Sequence, residues 1–138
     1  MCARFKGLVP KNALVASLTK GLSEDNHRRM SELAEEILGL EDVVVLSGPT
    51  HAEEVSRGIP TTIVAASKNP EAARRVQRIW SGNTLRVYTS DDPAGVEVGG
   101  AVKNVIAVAV GASDGLGFGD NTRAALITRG LAEVARFA

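Results

Sequence analysis

Apolar residues fall along the chain in short runs separated by amphipathic stretches. Residues 14–18 (LVASL) form a run of the kind that fills a buried parallel strand, and it stops at Thr19-Lys20-Gly21. Ser23 then stands as N-cap of a helix in which Met30, Leu33, Ala34, Ile37 and Leu38 share one face and Gly39 ends the pattern. Residues 43–46 (VVVL) predict a second buried strand, running into Ser47-Gly48-Pro49-Thr50, where Thr50 and Glu53 have the spacing of a capping box for a short helix. Pro60 precedes a third strand at 61–66. Asn69-Pro70 opens a helix to about residue 80 with Val76, Ile79 and Trp80 turned inward, and residues 85–88 read as a fourth strand. Trp80 and Tyr88 are expected in the core. Alternation of strand and helix predicts an α/β class with a mostly parallel sheet and right-handed crossovers.

The pattern changes after Asp91. Asp92 is placed as N-cap and Pro93 at the first helical position of a segment whose core, residues 96–110, is interrupted only by Glu97, Lys103 and Asn104. Such a length of apolar residues without alternation predicts a buried helix. An unpaired ammonium inside it is costly, so Lys103 must snorkel to water, pair with a carboxylate or face a polar cavity. Gly99 and Gly100 lie one turn before Lys103 and Asn104 on the same face and leave it bare. Interior glycines cost about 1 kcal/mol each relative to alanine, which favours a ligand approaching that face over simple packing. The alternative is a tight helix crossing with a snorkelling lysine. Beyond the loop GLGFG, Asp120 or Asn121 is expected to cap a last helix with Ala124, Ile127, Leu131, Val134 and Ala135 as its apolar face, and Arg123, Arg129, Glu133 and Arg136 in solvent.

Composition narrows the function. The 138 residues hold 16 Lys and Arg against 16 Asp and Glu, spread along the chain, which speaks against a nucleic-acid partner. Lys103 and Asn104 break the one long apolar run, so no membrane partner is expected, and the start of the chain lacks a signal-peptide pattern. The single Cys2 fits a reducing compartment, and a cytoplasmic location is the expectation. His27 and His51 have no metal or catalytic partner in register. Lys20 and Gly48 stand at strand ends, the edge of an open α/β sheet where ligands bind, and together with the Lys103-Asn104 pair they suit a small anionic substrate.

The stretch GVEVGGAVKNVIAVAVGASDGLGFGDNTRAALITRGLAEVARF closely resembles the signature region of the bacterial-type NAD(P)-dependent glycerol-3-phosphate dehydrogenases, at the junction of their nucleotide-binding and helical domains. The adjacency of lysine and asparagine distinguishes it from the related 6-phosphogluconate and 3-hydroxyacid dehydrogenases. The resemblance implies the later strands and helices of a Rossmann-like doubly wound sheet over residues 1–90 and the first helices of an all-α domain over residues 91–138. It implies reversible hydride transfer between NAD or NADP and the pair sn-glycerol 3-phosphate and dihydroxyacetone phosphate, a step feeding glycerophospholipid synthesis. Lys103 would be the acid or base and Asn104 would orient the substrate. Lys20 would touch substrate and cofactor, Gly48 and Thr50 the substrate, and Ala52 the cofactor. The resemblance also implies a homodimer for the full-length protein. The G-x-G-x-x-G turn that seats a pyrophosphate, and the family's later Gly-Leu-Gly-Asp and Ser-Arg-Asn stretches, are not in this sequence, so an internal piece of the family is expected. Another dehydrogenase of the 6-phosphogluconate dehydrogenase-like superfamily, acting on a 3-hydroxyacid or polyol phosphate, and a non-catalytic module on the same scaffold are the alternatives.

Overall fold

The computed structural model describes residues 2–137. After a 3-10 turn at Cys2–Phe5, the order is β1 (Val15–Ser17), α1 (Met30–Leu38), β2 (Val43–Ser47), α2 (Ala52–Ser56), β3 (Thr61–Ala66), α3 (Pro70–Trp80), β4 (Leu85–Ser90), α4 (Pro93–Gly115) and α5 (Asp120–Phe137). The strands form one sheet in the order β1-β2-β3-β4. Side chains alternate across it. Val44, Leu46, Ile63, Ala65 and Val87 meet Ala72 and Val76 of α3 on one face, while Val43 and Val15 meet Ala34 and Leu38 of α1 on the other. Each such Val, Leu or Ile taken fully out of water contributes about 1.5–3 kcal/mol, so β2, buried at four successive positions, is the centre of the fold.

Local chemistry sets several boundaries where the sequence placed them. The Asn69 Oδ1 accepts from the N–H groups of Glu71 and Ala72 at 3.1 and 3.3 Å, with Pro70 at the start of α3. The Asp92 Oδ1 accepts from Gly95 N–H at 2.9 Å, with Pro93 behind it. Gly39 closes α1 at φ 68°.

Other expectations are corrected. Two of the three strand pairings are parallel, β1 with β2 and β3 with β4, as a mostly parallel sheet requires, but β2 and β3 are antiparallel, so the sheet is mixed. The five residues of α2 span only about 7.5 Å, too little to carry the chain back along a strand of about 17 Å, so it turns and returns in the opposite direction. β1 is half-buried, because it is an edge strand. Ser23 caps no helix. The segment before α1 folds back on itself instead, with Ser23 N–H donating to the Arg28 carbonyl at 2.9 Å and His27 at φ 54° in the turn. Helix α1 starts only at Met30, where Arg29 N–H donates to the Glu32 carboxylate at 3.2 Å. Ile79, Trp80 and Tyr88 are 69, 41 and 48 % exposed rather than core, because β4 is the other edge of the sheet and α3 approaches it through Ala72, Ala73 and Val76. The Arg86 guanidinium lies 5.2 Å from the centre of the Tyr88 ring.

Helix α4 departs furthest from expectation. Its first half packs on β2 and β3 and it runs alongside α5, but only Pro93, Glu97 and Ser113 are buried and Val105 and Val108 are each 71 % exposed. Two helices and part of a sheet face cannot enclose the circumference of a 23-residue helix. By length and composition α4 reaches a membrane-crossing helix, with mean hydropathy 1.4, so Lys103 and Asn104 do not break the run as the sequence reading had it. Helix α5 buries no residue fully and turns Leu126, Gly130 and Val134 toward cover, leaving Ala124, Ile127, Leu131 and Ala135 exposed. The close crossing decides this, since a Cβ at Gly130 would stand 2.8 Å from the Ile106 side chain. Asp120 and Asn121 belong to the helix itself, and it is the Gly119 carbonyl that accepts from Thr122 and Arg123 N–H. Arg123 pairs with Asp114 and Asp120, and Glu133 with Arg129 and Arg136, all at the surface.

Candidate active site

Because β1 and β2 are parallel, their carboxyl ends open on one edge of the sheet. Lys20 follows β1 and Gly48 follows β2, and the Lys20 Nζ donates to the Gly48 carbonyl at 3.2 Å. Helix α4 crosses the same end of β2 and brings Gly95, Val96, Gly99, Gly100 and Lys103 opposite. Between these walls lies an open cleft of roughly 670 Å³, floored by Ser47 and Val64 and flanked by Pro49, Thr50, His51 and Glu54. Two ammonium groups from remote parts of the chain thus line one cleft with a single carboxylate at its margin, a charge balance that favours an anionic ligand. The Lys103 Nζ donates to the Asn104 Oδ1 at 2.8 Å, so the neighbouring amide holds the ammonium at the surface of α4.

The glycines have specific tasks. A Cβ on Gly48 would stand 2.8 Å from the Thr62 carbonyl oxygen and 3.0 Å from the Ile63 Cα, so Gly48 lets β2 and β3 approach closely as well as lining the cleft. A Cβ on Gly100 would stand 2.8 Å from the Ser47 Oγ, so that glycine lets α4 settle on the end of β2 as well as lining the cleft. At Gly99 an added Cβ would meet only Val134, at 3.9 Å, and the helix face there is open.

Of the residues singled out from sequence, Lys20, Gly48, Thr50 and Lys103 converge on the cleft, whereas Ala52 and Asn104 are exposed and not in its wall. Thr50 forms no capping box. Its Oγ1 lies 3.5 Å from the Gly48 carbonyl, and His51 takes the N-cap position of α2 without a side-chain bond.

The sequence reading missed a buried ionic cluster beside the cleft. The Glu97 carboxylate, 3 % exposed, accepts from the Arg29 Nη1 at 3.1 Å, from Ser31 N–H at 2.9 Å and from the Ser31 hydroxyl. The signal was present: a lone carboxylate in an apolar helix demands a partner when buried. What the sequence lacked was the pairing of α4 with the start of α1.

Comparison with known proteins agrees with this geometry. The model of the NAD-dependent glycerol-3-phosphate dehydrogenase N-terminus matches residues 1–73, and that of the C-terminus matches residues 92–138. A glycerol-3-phosphate dehydrogenase [NAD(P)+] of Clostridium perfringens is 50 % identical over 135 residues, covering 98 % of this chain and 41 % of that protein. One from Moorella thermoacetica is 55 % identical over 133 residues, with 96 and 39 % covered. The crystal structure of glycerol-3-phosphate dehydrogenase from Coxiella burnetii superposes with a TM-score of 0.87 at 42 % identity, over 99 % of this chain and 42 % of that one. The yeast enzyme superposes at 0.88 with 28 % identity, over 99 and 41 %. The chain spans about two fifths of the length of the curated relatives it matches. With the family's N-terminal model alone matching more than half of its residues, the chain belongs to the NAD-dependent glycerol-3-phosphate dehydrogenase family.

Proposed function

We propose that this chain carries the proton-transfer part of an active site that interconverts sn-glycerol 3-phosphate and dihydroxyacetone phosphate with NAD or NADP. The observation behind the reading is that Lys20 and Lys103, on separate elements, line one cleft at the carboxyl ends of parallel strands. Bound NAD(P)H supplies the hydride to the substrate carbon. As charge grows on the carbonyl oxygen, the Lys103 ammonium stabilises it and donates the proton, and in the reverse direction the neutral amine takes the proton back. The Asn104 Oδ1 steadies the Lys103 Nζ; Asn104 itself lies outside the cleft wall, and its task of orienting the substrate rests on the family resemblance. Lys20 draws the phosphate toward the mouth of the cleft, with Gly48 and Thr50 shaping the wall beside it.

The residues present fit the reactive end of the dinucleotide. Lys20, at the strand end and in the cleft wall, would hold the nicotinamide side; Ala52, at the start of α2 outside that wall, is placed on the cofactor by the resemblance alone, and the sequence contains no G-x-G-x-x-G turn for the pyrophosphate. A division between residues 1–90 and 91–138 belongs to the same reading, supported by the end of β4 at Ser90 and the start of α4 at Pro93. So do homodimeric assembly, supported by the exposed apolar α4–α5 face, and a cytoplasmic, membrane-free location, supported by the packing of α4 on β2 and β3 and the pairing of its buried Glu97 with Arg29 and Ser31.

The test is a chimera in which this chain replaces the matching segment of the Clostridium perfringens relative, assayed with dihydroxyacetone phosphate and both reduced cofactors. Turnover that is lost with Lys103→Ala supports the reading. A folded chimera that ignores this substrate but oxidises another hydroxyacid or polyol phosphate moves the assignment to the wider superfamily, and one that binds no nicotinamide makes the chain a non-catalytic module.

A further inference from the structure

The buried Glu97 has no part in the proton transfer described above, yet it joins the two elements that carry the cleft's cations. Lys20 leads into a loop that closes where Leu22 bridges Arg29. Arg29 and the next-but-one residue, Ser31, end on the Glu97 carboxylate. Glu97 lies on α4 one turn before Gly100 and Lys103 follows one turn later, so the same helix carries the clamp, the contact with Ser47 and the second cation. The Lys20 arm is fixed at its far end by the bond from its Nζ to the Gly48 carbonyl. Every acceptor position of Glu97 that the cluster uses is met by a group on the Lys20 side, and the side chain is 3 % exposed, so water cannot substitute for a lost partner.

From this we propose that Glu97 is a positioning residue. It locks α4 against the loop between β1 and α1 and so sets the separation of Lys20 and Lys103 across the cleft. The consequence for turnover rests on the dehydrogenase reading; the geometric claim does not. Removing the negative charge breaks the Arg29 tie to α4, leaving Arg29 on Glu32 alone and α4 held to the start of α1 by neutral hydrogen bonds to Ser31. The cleft keeps its residues and loses its fixed width.

Two readouts separate these claims. In the 138-residue chain, amine cross-linking with a short glutarate diester, followed by isolation of the monomer band, free of links between chains, and peptide mass spectrometry, reports the Lys20–Lys103 proximity within one chain without any turnover. Glu97→Gln should cut the yield of that cross-link to about a tenth or less while far-UV circular dichroism is unchanged, and in the chimera it should lower kcat about tenfold or more, since misplacement by 1 Å can cost about a hundredfold. Ser31→Ala, which keeps the charge pair and the backbone bond, should give the same pattern to a smaller degree, and it decides the matter if Glu97→Gln does not fold. A folded variant with undiminished cross-link and kcat overturns the proposal, as does a fall in melting temperature with neither readout changed. A cross-link that falls while kcat holds overturns the link to the reaction. If the parent chimera is inactive, the function reading fails, and the cross-link alone upholds or overturns the clamp.

Discussion

Gly100 of α4 sits where an added Cβ would approach the Ser47 Oγ to 2.8 Å, while the Ser47 Cβ would be 3.9 Å away. Only the hydroxyl is in the way. Gly100→Ala should therefore lower the melting temperature when Ser47 is present and leave it equal or raised in a Ser47→Ala background, because alanine in a helix is favoured over glycine by about 1 kcal/mol. A thermal double-mutant cycle measures this; additivity of the two changes would show that Ser47 is not the reason for the glycine.

Gly48 should behave differently. An added Cβ would meet the Thr62 carbonyl oxygen and the Ile63 Cα, which are backbone and cannot rotate away. Gly48→Ala should cost about 1–3 kcal/mol by overpacking, with no side-chain substitution that restores it. Urea unfolding gives the value directly, and a loss within experimental error would contradict the packed geometry.

For Lys103→Ala, the chimera should lose about a hundredfold or more in kcat, the usual range for a positioned acid or base. Steady-state kinetics on the folded protein check it. A change below about threefold would remove Lys103 from proton transfer.

Acid should weaken the start of α1. Partial burial works against the charge on Glu32, but the hydrogen bonds from Arg29 outweigh it and hold the carboxyl below its ordinary 4.5. A lowered folded-state value means that the pair contributes stability above the ordinary value and loses it as pH falls through the lowered one. Glu32→Gln should thus flatten the stability profile below pH 4.5 and matter less to its slope above that value, read from urea midpoints across the range.

By itself the 138-residue chain should bind NADH weakly or not at all and reduce no dihydroxyacetone phosphate, since it has no G-x-G-x-x-G turn. Its exposed Val105, Val108, Ile127 and Leu131 should also drive self-association. Size-exclusion chromatography with an NADH fluorescence titration tests both; a monodisperse monomer with micromolar affinity would refute the expectation.

The sequence by itself determined the parts whose causes are local. Asn69-Pro70 and Asp92-Pro93 place helix starts through a side-chain acceptor and a fixed φ, Gly39 ends α1 through its positive φ, and the run at 43–46 is apolar enough to be central wherever the sheet forms. The Lys103-Asn104 pair, with Gly99 and Gly100 a turn earlier, was also legible, because helical spacing alone puts these residues on one face. Tertiary structure decided whatever depends on what lies opposite. The direction of β3 followed from the shortness of α2, the exposure of Ile79 and Trp80 from β4 being an edge, and the orientation of α5 from Gly130 meeting Ile106. The tasks of Gly48 and Gly100 depend on atoms of β3 and β2, and Glu97 finds its partner Ser31 at the start of α1, 66 residues away in sequence. Spacing along a chain encodes which side of an element a residue occupies, but not which other element will cover that side, and burial, pairing and close approach are all properties of the second.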